Sequence, residues 1–196
     1  MNFLAHIYLS GDDEDIILGN FIADRIRPSQ EEKYAERLHV GIQLHRFIDD
    51  FTDTHEIVTQ SRALLFDTQQ KYALVLTDIF YDHFLARDWS SWHHENLLHY
   101  TKRFYDLMER NHAFLPKRVQ FMLPYMKKGN WLYNYQYLEG IGNVLQGMSR
   151  RAKFDNNMAN ALTDLQKHYS TLEDHFNSFF PQLQTACKDF ISSAQS

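Results

Sequence analysis

An all-α fold is predicted by three observations. Apolar residues recur at three- and four-residue spacing through most of the chain. Glycine and proline are scarce, 7 and 4 among 196 residues, too few for the turns of a β-rich or loop-dominated architecture. No stretch alternates apolar and polar residues often enough to read as a series of strands. Residues 1–196 therefore read as one all-helical domain, without an internal repeat, low-complexity tract or linker.

The elements follow from local signals. Residues 1–9 form a short apolar segment that contains His6. Ser10-Gly11-Asp12-Asp13 offers N-caps to a helix over about 14–26, and Pro28 bars its continuation. Ser29 with Glu32 three residues on reads as a capping box opening a long helix with Leu38, Ile42, Leu44, His45, Ile48, Asp49 and Phe51. Near Thr54 the chain bends into a further helix through Leu65. Residues 71–89 show dense apolar spacing, and Ser90 or Ser91 is expected to cap a helix over about 93–111. Leu115-Pro116 starts another, with a kink expected at Pro124. Gly129-Asn130 breaks the chain before a helical stretch over 131–151, where Gly140, Gly142 and Gly147 suggest close packing or a loosened helix. Asp155-Asn156 is expected to cap a long C-terminal helix interrupted at Pro181.

Composition bounds the function. Hydrophobic residues make up 44% and aromatics 15%, ample for a packed core. The net charge of −5 leaves partners open, since 20 Lys and Arg can still cluster. Cys187 is the sole cysteine, which excludes an internal disulfide framework and fits a reducing compartment; its plain reading is a small buried helix residue. No apolar run reaches membrane-span length, and no secretory leader is recognisable. The expectation is a soluble cytoplasmic protein that acts on neither nucleic acid nor membrane, with the oligomeric state left open.

Chemistry concentrates in aspartate and histidine at helical spacing. His45 and Asp49 are four apart, as are Asp49 and Asp53, and Asp78 and Asp82, so each pair shares a helix face. All are embedded among Phe, Ile, Leu and Tyr, so that face points partly inward. Buried carboxylates require a cationic partner, and a divalent metal supplies one. Asn20 and Asp24 likewise share a face, although Asp24 beside Arg25 also reads as a surface ion pair. Arg46 and Asp50 are expected to pair outward, leaving His45 and Asp49 as the inward pair. Asp53 and His55, at a helix end, suit capping as well as ligation. His83 lies about 100° around the helix from Asp82 and reaches the same centre only from the flank; on such a face it could equally be a core histidine. Two Glu-x-x-His pairs, Glu36–His39 and Glu109–His112, sit in polar surroundings unsuited to a di-iron bundle. The chain lacks a phosphate-cradling Gly-rich loop, a Gly-x-Ser-x-Gly elbow and paired cysteines, which removes support for NTPase, serine-hydrolase and zinc-ribbon readings. Basic pairs such as Arg25 with Arg27, Lys102 with Arg103, Lys117 with Arg118 and Lys127 with Lys128 read singly as solvated faces, and together as a recruiting surface for an anionic partner.

The segments Met1-Asn2-Phe3-Leu4-Ala5-His6, Leu18-Gly19-Asn20-Phe21-Ile22-Ala23-Asp24, Gly41-Ile42-Gln43-Leu44-His45-Arg46-Phe47-Ile48-Asp49, Phe51-Thr52-Asp53-Thr54-His55 and Asp78-Ile79-Phe80-Tyr81-Asp82-His83 occur in that order. With Leu115-Pro116-Lys117-Arg118, Asn130-Trp131-Leu132 and Gly147-Met148-Ser149-Arg150-Arg151, they resemble the acyl carrier protein phosphodiesterases over nearly the whole chain. The resemblance implies manganese- or magnesium-dependent hydrolysis that strips 4′-phosphopantetheine from holo-acyl carrier protein. It also implies a helical bundle distantly related to the His-Asp metal phosphohydrolases. Those relatives carry adjacent His-Asp, whereas here the order is Asp82-His83. In this reading Asp24, His45, Asp78, Asp82 and His83 are metal ligands, and Asp49 is a ligand or general base. His6 and Asn20 orient water or ligands, and Arg46 or Arg25 holds the phosphate. Two rivals remain: a helical phosphohydrolase acting on nucleotides, and a non-catalytic module that binds an acidic protein.

Overall fold

The computed structural model describes residues 1–27, 29, 31 and 34–194, and among them no residue is in a strand. The apolar periodicity resolves into α1 (Phe3–Leu9), α2 (Glu14–Ile22), α3 (Glu36–Thr54), α4 (Glu56–Gln69), α5 (Ala73–Arg87), α6 (Trp89–Trp92), α7 (Leu97–Arg110), α8 (Lys117–Lys128), α9 (Trp131–Asn134), α10 (Leu138–Arg151), α11 (Ala161–Lys167) and α12 (Tyr169–Ala194). Among the described residues no helix is long and apolar enough to cross a membrane.

Several boundaries differ from the sequence expectation, each for a local reason. Asp13 caps α2 as expected, accepting from the Asp15 and Ile16 amides. That helix then tightens into a 3₁₀ turn at Ala23–Arg25. Helix α3 begins at Glu36 behind the extended Ala35, not near Ser29. Of the capping box and proline stop, Glu32 and Pro28 lie outside the described residues. His55 caps α4 by accepting from the Ile57 amide, which settles its role as structural. Ser90 and Ser91 fall inside the short α6, and Asn96 caps α7 instead. Tyr135–Tyr137 separates α9 from α10. Asp155-Asn156 precedes α11 without capping it, and α12 runs through Pro181. Buried Phe179, Phe180 and Leu183 around that proline hold the helix together by packing, which offsets the lost backbone bond.

One hydrophobic cluster runs from Met1 to Cys187. Helix α5 is its axis: Leu76, Ile79, Phe80, Tyr81, Phe84 and Leu85 are buried on all sides, each such side chain worth about 1.5–3 kcal/mol when fully buried. Helix α12 lays Phe176 and Phe179 on Tyr81. Cys187 is buried and unpaired, and burial pushes its thiol up to about 12.

The contact that matters most for function is between α2 and α3. Gly19 and Gly41 face each other there: a Cβ on Gly19 would lie 2.1 Å from the Leu38 carbonyl oxygen, and one on Gly41 would lie 2.3 Å from that of Ile16. No side chain larger than hydrogen permits this approach. We expect Gly41→Ala to destabilise the fold by about 1–3 kcal/mol, read from urea denaturation, with Gly142→Ala as a near-neutral control because its added methyl finds only an ordinary contact at 3.6 Å.

Candidate metal centre

The close crossing sets Asn20 of α2 against His45 of α3, while α1 delivers His6 from the other side. Asn20 is fully buried, and its orientation is fixed by its neighbours. The Ser10 hydroxyl donates to the His6 carbonyl. Asn20 Nδ2 therefore donates both to that carbonyl (3.0 Å) and to Ser10 Oγ (2.9 Å). This turns Asn20 Oδ1 toward the two imidazoles, where it accepts from His6 Nδ1–H at 2.9 Å and His45 Nδ1–H at 3.0 Å. One amide thus sets the tautomer of both rings, which stack with centroids 4.2 Å apart.

With Nδ1 protonated, each neutral ring presents a bare lone pair at Nε2. His6 Nε2 lies 3.2 Å from Asp49 Oδ1, and His45 Nε2 lies 3.2 Å from both Asp49 Oδ2 and Asp24 Oδ1. A lone pair facing a carboxylate oxygen is repulsive unless a proton or a metal ion sits between them. Burial depresses the basicity of His6, with Asp49 opposing. Burial acts the same way on His45, but its hydrogen bonds to Asp24 and Asp49 outweigh that and lift it to about 9. The same pairing holds the Asp49 carboxyl well below its ordinary range despite burial, and His45 lowers Asp24. His6, His45 and Asp49 each offer a ligand atom within 4.8 Å of the others, so the group could hold a metal ion. Asp24, 59% exposed, borders it on the solvent side. Two imidazole nitrogens with carboxylate oxygens suit a borderline divalent ion.

Residues 1–183 match the family model of acyl carrier protein phosphodiesterase. The chain belongs to this family. It is 31% identical to the acyl carrier protein phosphodiesterase of Photorhabdus laumondii over the full length of both chains. It is 33% identical to that of Serratia proteamaculans, covering 96% of this chain and 98% of the relative. For the phosphodiesterase of Yersinia pestis the figures are 31%, 93% and 95%. No solved structure matches.

Within this phosphodiesterase family member, the residues singled out in the sequence separate into two sets. His6, Asn20, Asp24, His45 and Asp49 come together. Asp78, Asp82 and His83 are engaged elsewhere and make no contact with the paired imidazoles. Asp78 meets the amino group of Met1 at 3.2 Å. Asp82 is fully buried and turns both oxygens to the start of α1, accepting from the Leu4 amide at 2.7 Å and the Ala5 amide at 3.2 Å. It satisfies two of the orphan N–H groups of that helix and so fixes the segment carrying His6. His83 is a core histidine, bonded through Nδ1 to the Tyr135 carbonyl and through Nε2 to the Tyr169 hydroxyl. Helical spacing brought these side chains onto inward faces, but α1 and the Tyr135 loop intervene as their partners. Arg46 pairs with Glu31 rather than Asp50, at the surface. Asp53 pairs with Arg62. Arg25, made less basic by burial with Asp24 opposing and Arg118 adding to the effect, stays beside the centre. Ser10 was read only as an N-cap candidate, and only its position after an apolar histidine-bearing segment could have signalled its part in orienting Asn20.

Two outcomes are expected. Asn20→Ala should lower divalent-metal affinity by about 10–100-fold, measured by calorimetry, with the far-UV spectrum preserved. Burial raises the Asp82 carboxyl from 3.8 to about 7, against the opposing pull of the Leu4 and Ala5 amides. A raised carboxyl contributes stability that is full below its unfolded value and is lost as pH climbs through the folded one. Urea titrations between pH 4 and 7 should therefore show a declining contribution in the native protein that Asp82→Asn lacks.

Proposed function

We propose that this protein hydrolyses the phosphodiester joining 4′-phosphopantetheine to the serine of holo-acyl carrier protein, using a divalent ion, Mn²⁺ in preference to Mg²⁺. The observation that carries the reading is the pair of imidazoles aligned by one buried amide within a chain of this family. His6, His45 and Asp49 hold the ion, and Asp24 completes the donor set from the solvent side. The mixed nitrogen and oxygen donors favour Mn²⁺, because Mg²⁺ prefers oxygen ligands and retained water. When bound, the ion lowers the pKa of water and neutralises charge on the non-bridging phosphate oxygens.

The chain's own residues do the rest. Asn20 keeps both Nδ1 atoms protonated so that both Nε2 atoms remain ligands. Asp82 anchors α1, which prevents His6 from swinging out. Arg25 supplies a guanidinium for a phosphate oxygen beside Asp24. In the overall reaction a water oxygen bonds to phosphorus, the serine oxygen departs and takes a proton, and apo-carrier and 4′-phosphopantetheine are released. The single unpaired, buried cysteine supports action in the reducing cytoplasm. The whole chain acts as one domain.

Release of 4′-phosphopantetheine from holo-carrier, followed by mass spectrometry, should require added Mn²⁺ and fall to background in His45→Ala and Asp49→Ala with helicity intact. Asp78→Asn should keep most of it. Full turnover in His45→Ala would refute this assignment of the centre.

A further inference from the structure

Helix α8 carries an exposed face that no other described element covers. Phe121 and Tyr125 lie one turn apart, 73% and 57% exposed, with ring centroids 5.5 Å apart. Arg118 precedes them at i−3 and Lys128 follows at i+3 on the same stripe, with Lys117 at its flank. Phe114, 76% exposed, extends the apolar surface just before the helix. The helix has four cations and no carboxylate. Lys127 is satisfied by Glu109, but Lys117, Arg118 and Lys128 meet no carboxylate among the described residues.

The charges are also placed against local preference. Lys117 and Arg118 sit in the first turn, where the helix dipole disfavours cations, and no acid compensates them. On the preceding long helix, α7, the cations have their acids: Lys102 has Asp106, Arg103 has Glu95 and Arg110 has Glu14. Two grouped aromatic rings framed by unpaired cations call for an apolar ridge edged with negative charge. The face also ends in the right place. Arg118 is close enough to Arg25 for like charge to lower the basicity of that guanidinium, and Arg25 follows Asp24 in the chain, so the start of α8 lies toward the side of the molecule that carries the metal centre.

We propose that this face of α8 docks an acidic amphipathic helix of the carrier protein, with Phe121 and Tyr125 taking its apolar ridge and Lys117, Arg118 and Lys128 its carboxylates. The inference rests on the function proposed above and adds the surface that selects the protein portion of the substrate.

The test is steady-state turnover of full-length holo-carrier by the metal-loaded protein across a range of NaCl concentrations. In Lys117→Glu/Arg118→Glu, and separately in Phe121→Ser/Tyr125→Ser, KM should rise about 30-fold, as for loss of an interface hot spot, while kcat stays within about twofold and helicity and metal uptake are unchanged. Rising salt should raise the native KM, and the charge-reversed variant should lose that dependence. Unchanged KM and salt dependence in both variants, beside normal native turnover, would overturn the docking surface and leave the proposed activity standing. Absence of native turnover would overturn the activity instead. Anisotropy of labelled carrier would then still read the surface: binding lost in both variants supports it, and binding retained overturns it. A native dimer that Phe121→Ser dissociates without changing KM would assign the face to a second copy and overturn the proposal.

Discussion

Two helices that touch backbone to backbone set the positions of most of the other groups. At the crossing of α2 and α3, Gly19 and Gly41 bring main chains to a separation that any Cβ would prevent. The result is that a short amide side chain on α2 can reach an imidazole on α3. Asparagine has little reach; had the helices packed at ordinary distance through leucines, Asn20 could not have bridged two rings, and the exposed Asp24 would have had no imidazole beside it. The packing constraint and the chemistry are therefore one feature seen at two scales.

Electrostatics follows from that geometry. The imidazoles are the more deeply buried and the carboxylates lie nearer the edge, so the fullest desolvation falls on groups that can be neutral, whereas Asp24 and Asp49 are only partly buried and retain water on one side. This division avoids the penalty of a fully buried ion pair. Asp82 is the counterexample, a carboxyl in the apolar interior with no counter-cation from a side chain. There the two amides at the start of α1 serve in place of a cation, and burial still makes the proton harder to remove.

Much of this was legible in the chain itself. Helical periodicity, scarce glycine and proline, and the inward His45–Asp49 pair announce an all-helical protein with ligands on apolar faces. Asn20 and Asp24 were recognisable by their shared face. What periodicity cannot supply is the partner across the gap. It shows that Asp78, Asp82 and His83 face inward, but not that the chain start, two α1 amides and Tyr169 are what they face. It underrates His6, because an isolated histidine in a seven-residue helix has no i+4 companion to mark it; its companions come from other helices. Proline fared similarly: at 181 the neighbouring Phe179 and Phe180 pack on Tyr81 and Trp92, partners distant in the sequence, and that packing decides that the helix continues.

The single amide on which both imidazoles lean is also sheltered from chemical ageing. Deamidation of asparagine proceeds when the following backbone nitrogen attacks the side-chain carbonyl, and it is fastest before glycine in flexible chain. Asn20 is inside a helix, precedes bulky Phe21, and has its amide oxygen and nitrogen both engaged in hydrogen bonds. Conversion to aspartate there would set a carboxylate oxygen against the His6 carbonyl. The fold withholds the mobility that this reaction needs at the one asparagine where it would do most harm.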